Sequence, residues 1–419
     1  MSLHFVLGAS GSGKSKRTYQ WMIGEALTHP DRQYLILVPD QYTMQIQKQM
    51  VLLHPNHAIM NIDVLSFSRL YHRVMEEVGG DHLTPLDDTG KNLILRALAG
   101  SMKEELPVLG KLMDRHGYIS EVKGIISELQ QYGISPEGME VLIAGSAGRR
   151  GLQARLEDVQ KLYRAYVAFQ QGSYRTGESM YPVLTQRLRE SAFFQNVTVF
   201  LDGFTGFTPV QMPLVQEMMV LAKDMYVAMT MDEEPSQVTA EQQLFFTSAK
   251  SIRDLERLAE EARVPVAPYI WCKEQKRFTE SPMLAHFEKY LFRQNAKVFE
   301  GACKCRKNWE NLCKDSKNAC KNADKTCRDS ENSCNGVKKA YDGIRLWQAL
   351  NPRQESFALA REIKRLVREE GCQYRDIAVI CGDMETYRYH LQEALGQMDI
   401  PYFVDASSKI LHNPAMELL

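Results

Sequence analysis

The sequence predicts an α/β fold: a parallel sheet flanked by helices and interrupted by an all-helical insertion. Three observations predict it. Short apolar runs such as Tyr34-Leu35-Ile36-Leu37-Val38 alternate with helical patterns, as in a sheet buried on both faces. Within residues 85–190 the apolar residues recur only at helical spacing. Apolar runs then resume at Val197-Thr198-Val199-Phe200-Leu201-Asp202 and Met225-Tyr226-Val227-Ala228-Met229. At about 150 residues per domain, the chain makes two or three domains.

Residues 1–84 read as the first part of the sheet domain. His4 to Leu7 forms a strand that meets a Gly-rich turn, and a helix follows through Thr18, Trp21, Met22 and Ala26. Tyr34 to Pro39 is a second strand. Ile62 to Leu65 is a third, leading into a helix through Leu70, Val74 and Val78. In the insertion, Leu93, Ile94, Leu95 and Leu98, then Val122, Ile125, Ile126 and Leu129, then Leu156, Val159, Leu162 and Val167, mark three helices.

Residues 191–300 complete the first domain, with a helix through Leu244, Ile252, Leu255 and Leu258. Residues 301–343 are a polar insertion with Cys313, Cys320, Cys327 and Cys334 at a seven-residue period. Residues 344–419 begin a second α/β unit: strands at Ile344–Trp347 and Asp376–Cys381, helices at Phe357–Glu369 and Tyr387–Leu395. This stretch is short for a complete unit, so we expect a truncated chain.

Charges nearly cancel, with 51 Lys+Arg against 52 Asp+Glu, whereas a free-standing DNA binder carries a basic excess. Any DNA contact must come from a local groove or a partner. The start lacks the basic and long apolar regions of a signal peptide. No run of about 18 apolar residues predicts a membrane helix. We therefore expect a cytoplasmic protein with no membrane partner and reduced cysteines.

Gly8-Ala9-Ser10-Gly11-Ser12-Gly13-Lys14-Ser15 matches G-x-x-x-x-G-K-[ST] in full. Gly8 and Gly13 let the backbone curl so that its N–H groups face phosphate oxygens, and Gly11 adds freedom. Lys14 reaches the β- and γ-phosphates, Ser15 ligates Mg²⁺, and the following helix aims its positive end at the anion. The bland alternative is an ordinary Gly-rich turn. A carboxylate should end a later strand to hold the Mg²⁺ shell. Asp202 fits, or is a plain strand-end residue. Gly203, which follows it, can neither accept a proton nor orient water.

Three further stretches carry a family resemblance. Leu35-Ile36-Leu37-Val38-Pro39-Asp40-Gln41-Tyr42-Thr43 and Val64-Leu65-Ser66-Phe67-Ser68-Arg69-Leu70 look like early motifs of superfamily 1 (UvrD-related) helicases. Phe200 to Gln211 stands where an active helicase has its Asp-Glu box. In this degenerate form it resembles the B subunit of AddAB (RexAB) ATP-dependent helicase/deoxyribonucleases. Glu355 to Gly371, Tyr374 to Ile380 and Ile400 to Phe403 resemble the start of that protein's second helicase-like domain. The resemblance covers residues 1–300 and 344–419.

It implies a P-loop (RecA-like) fold, an A-subunit partner in a heterodimer, DNA as a further partner, and double-strand break repair by homologous recombination. ATP and Mg²⁺ are the implied cofactors. The family's nuclease domain and iron–sulfur cluster belong to its C-terminal part and are not expected in this chain, so no catalytic residue is carried over. Where active helicases place a Gln near the γ-phosphate, this sequence has Thr230-Met231-Asp232-Glu233-Glu234-Pro235. Arginine fingers are expected beyond Leu419. The expected function is an ATP-binding, DNA-engaging component with a weak or inactive motor. The alternatives are an active helicase or translocase, a small-molecule P-loop kinase and a non-catalytic scaffold.

Cys303 to Cys334 has no counterpart in that family. On a helix, cysteines seven apart sit about 10 Å apart, beyond one metal's reach. A solvated insertion, a metal or redox role and a partner-binding helix remain the readings. His72 and His116 read as surface or satisfied groups and the 20 methionines as core filler. Lys16, Arg17, Arg69 and Arg73 either touch DNA phosphate or are solvated.

Overall fold

A computed structural model describes residues 1–79, 84–112, 116–170, 174–293, 296–299 and 344–404. The chain divides into two units, Met1–Asn311 and Leu312–Leu419. The Cys303–Cys334 segment lies outside the described residues.

The first unit is built on a six-stranded sheet in the order β3-β2-β6-β7-β1-β8. The strands are β1 (Leu3–Gly8), β2 (Tyr34–Leu37), β3 (Ile62–Leu65), β6 (Thr198–Leu201), β7 (Asp224–Thr230) and β8 (Ile270–Cys272). Every pairing in it is parallel. Parallel strands need crossover helices, and these cover both faces. On one face α1 (Lys14–Thr28) and α2 (Thr43–Leu53) bury Tyr19, Met22 and Met50 against Ile36, Val64 and Phe200. On the other, α3 (Phe67–Val78), α8 (Met180–Arg187), α9 (Met212–Leu221) and α10 (Phe246–Glu261) pack on Leu7, Leu37 and Val199.

The chain enters α3 at Ser66, whose Oγ accepts the Arg69 N–H. Trp21, expected in the α1 core stripe, is instead 39% exposed and leans on Tyr226, and Ile23 takes the buried position. Leu244 likewise precedes α10 rather than joining it. Gln243 Oε1 accepts the Thr239 and Ala240 N–H groups, which holds that stretch in turns.

Helices α4 (Asp88–Ser101), α5 (His116–Gln131), α6 (Met139–Gly145) and α7 (Arg150–Gln170) share a separate core of Leu95, Ile119, Val122, Ile126, Leu162 and Tyr166. Leu93 and Ile125, expected in those stripes, are exposed. A ladder too short for sequence alternation to reveal pairs β4 (Thr84–Pro85) with β5 (Tyr174–Arg175) at the two ends of this helical stretch. The charges buried in this region are closed by protein partners. Asp158 on α7 accepts the N–H groups of Val108 and Leu109 at 2.8 and 2.9 Å. Lys91 on α4 donates to both Glu178 oxygens at 3.0 and 3.1 Å.

In the second unit, α12 (Pro352–Glu369) and α13 (Met384–Gln397) pack through Ala360, Ile363, Ala394 and Leu395. The strands expected at Ile344–Trp347 and Asp376–Cys381 do not form. Among the described residues of this unit neither segment has a ladder partner, and Tyr374–Asp376 closes a 3₁₀ turn instead. An apolar run becomes a strand only when a neighbour accepts its hydrogen bonds.

Candidate phosphate-binding site

Parallel register brings the carboxyl ends of β1, β6, β7 and β8 to one edge, with Gly8 beside Thr230 and Cys272. In open α/β sheets this edge is where ligands bind. The loop from Gly8 to Ser15 leaves β1 there and enters α1. Gly13 has φ +82°, left-handed backbone that disfavours any side chain, and Gly11 has φ +78°. Gly8 departs from the expected role. Its backbone is ordinary, but a Cβ there would lie 2.5 Å from the Cys272 carbonyl and from Ser12 Oγ. It is needed for close approach, not for the curl.

A cavity of about 800 Å³ opens over the loop. Lys14, Lys16, Arg17, Lys276 and Arg277 line it, against the one carboxylate of Asp202. Ser10, Ser15, Gln20, Gln49, Gly203, Phe204, Thr205 and Thr230 complete its polar and aromatic wall. A chain of near-zero net charge thus concentrates positive charge where a helix begins. Lys14 Nζ donates to the Gly8 and Ala9 carbonyls at 2.8 and 2.9 Å. Burial pulls this ammonium below the ordinary lysine range, and Asp202 pulls the other way. Ser12 Oγ is buried with no hydrogen-bond partner.

Asp202 lies directly after β6 and is 8% exposed. Its Oδ1 accepts the Gly203 N–H at 3.0 Å and its Oδ2 accepts the Tyr19 hydroxyl at 2.5 Å. Burial and the neighbouring Asp202 charge push the Tyr19 phenol far up, so it remains the donor. Gly203 has φ +78°, so a side chain there would be strained.

The loop, Lys14, Ser15 and Asp202 are therefore brought together as sequence spacing suggested. Sequence reasoning missed the segment after β8. The Lys276 and Arg277 N–H groups donate to the Gly11 carbonyl at 3.0 and 3.1 Å, and Gln275 Nε2 donates to the Ser10 carbonyl at 2.9 Å. The apolar run Tyr269-Ile270-Trp271-Cys272 ahead of a basic stretch was the available signal, since a strand there delivers its next residues to this edge.

The stretch in place of the helicase Gln is occupied otherwise. Met231 N–H donates to the Gly8 carbonyl at 3.0 Å, and Asp232 and Glu233 pair with Arg293, just beyond α11 (Pro282–Tyr290). Arg69 and His72 lie on the surface, and Arg73 covers the Phe193 ring at 5.4 Å.

Among the described residues, no cluster of three or more His, Cys, Asp or Glu could hold a metal alone. The loop and its cations fit a phosphate chain: the close-packed glycine cradle leaves no room for a side chain, and the orphaned Ser12 hydroxyl sits inside it. Ser15 and Asp202 are the side chains beside that cradle that could share a cation with it. No described helix is long and apolar enough to cross a membrane.

Comparison with known proteins agrees with this geometry. The family model described as "ADDB, N-terminal" matches residues 5–288. A protein of Lachnoclostridium phytofermentans, named as the B subunit of an ATP-dependent helicase/deoxyribonuclease, is 35% identical over the whole chain and 34% of its own length. Proteins of the same name from Symbiobacterium thermophilum and Oceanobacillus iheyensis are 32% and 25% identical over the whole chain and 33% of theirs. The chain spans about a third of the length of these relatives. Since the family model covers most of the chain, including the phosphate loop's strand and every strand of its sheet, this chain belongs to the AddB N-terminal family.

Proposed function

We propose that this chain is the ATP-binding, DNA-engaging part of the B subunit of a heterodimeric helicase–nuclease, a cytoplasmic hydrolase that repairs double-strand breaks by homologous recombination. The observation that carries the nucleotide reading is the cationic cavity over Gly8–Ser15. The relatives' name supports the rest, with an A subunit and DNA as partners. Residues 1–84 and 191–300 would form the nucleotide-binding domain, 85–190 its helical insertion, and 344–419 the start of a second domain.

In this reading the loop N–H groups and the α1 dipole bind the phosphates. Lys14 exchanges its Gly8 and Ala9 carbonyls for phosphate oxygens. Lys276 and Arg277 approach the same phosphates from the β8 side. Bound Mg²⁺ supplies charge neutralisation, and Ser15 and Asp202 are the residues to hold it.

We read the motor as weak. Gly203 offers no carboxylate to orient water, and its left-handed backbone disfavours one. The test is a steady-state ATPase assay with single-stranded DNA, using Lys14→Ala to subtract contaminants. Turnover far below the typical enzyme value of about 10 s⁻¹ is expected. A Lys14-dependent, DNA-stimulated rate of several per second would favour an active helicase instead.

A further inference from the structure

We propose that Tyr19 is a positioning residue that occupies Asp202 and makes phosphate binding at this site largely independent of magnesium. The inference rests on the reading that the cavity takes ATP. A strand-end aspartate serves a nucleotide-bound cation by accepting hydrogen bonds from its water shell. Asp202 has already committed both oxygens, Oδ1 to the Gly203 N–H and Oδ2 to the Tyr19 hydroxyl.

Tyr19 cannot easily withdraw. It lies on α1 one turn beyond Ser15, is 1% exposed, and meets Phe200 edge-to-face at 5.9 Å. Among the described residues Asp202 is its hydrogen-bond partner. A metal-bound water that displaced the phenol would leave a buried hydroxyl unsatisfied, which is costly. Meanwhile Lys14, Lys16, Arg17, Lys276 and Arg277 supply fixed positive charge to the same cavity. Charge neutralisation that other P-loops draw from the cation is here built into the protein.

The test compares ATP affinity of the full chain by calorimetry in millimolar magnesium and in excess EDTA, for the unaltered chain and Tyr19→Phe. The unaltered chain should lose less than about fivefold on magnesium removal, and Tyr19→Phe at least about tenfold. This ratio is indifferent to a merely structural role for Tyr19, which would move both affinities together. A loss of about a hundredfold in the unaltered chain, or an unchanged ratio in Tyr19→Phe, overturns the proposal. ATP binding in neither condition would instead sink the nucleotide reading, and the inference with it. Should Tyr19→Phe not fold, Mn²⁺ paramagnetic resonance on the unaltered chain decides. Mn²⁺ should bind chain-held ATP no more tightly than free ATP, and tenfold tighter binding overturns the proposal.

Discussion

The helical stretch and the carboxyl edge of the sheet both bury charge, and they do so to different ends. Around α7, Asp158 is spent on the Val108 and Leu109 N–H groups and Lys91 on Glu178, so the charges are closed within the protein. At the sheet edge, five cations face a cavity with one carboxylate between them. Lys14 reaches only backbone carbonyls, and Ser12 Oγ reaches nothing. Burial alone therefore does not mark a site. A surplus of one charge sign opening onto a cavity does.

Mutation should separate the two regions. Asp158→Ala strands the Val108 and Leu109 N–H groups, and should cost about 2–3 kcal/mol of stability with ATP affinity unchanged. A chemical-denaturation curve matching the unaltered chain would show the loop is held by something else. At the edge the order reverses: substitutions should spare stability and change binding. Gly203→Glu is the intermediate case. Its φ of +78° should cost about 1 kcal/mol of stability, and ATP turnover should not rise. A large gain in turnover would mean that the water-orienting carboxylate was the one missing part. Lys276→Ala and Arg277→Ala should each weaken ATP binding about threefold, ~0.7 kcal/mol, with no change in melting temperature. Unchanged affinity in both would remove the β8 segment from the site.

Much of this was legible in the sequence because the signals were local. Gly8 to Ser15 fixes a loop by backbone chemistry alone, and the runs at Tyr34, Ile62 and Val197 are buried on both faces, so they read as strands without knowledge of their neighbours. Asp202 was legible as the polar residue that ends such a run. What escaped depends on contacts between distant segments. Lys276 and Arg277 join the site only because three-residue β8 pairs with β1. Tyr19 lies in a helical pattern, but its bond to Asp202 spans 183 residues. The strands expected after residue 343 failed for the converse reason, as the local apolar signal was present and the ladder partner was not.

The central claim is that the loop binds ATP, and calorimetric titration of the chain with ATP, alongside Lys14→Ala, tests it most directly. The account predicts one ATP per chain, weakened at least about tenfold by the substitution, which is about 1.4 kcal/mol, with an unchanged melting temperature. Equal affinity in the two proteins, or no binding by the unaltered chain, would contradict it.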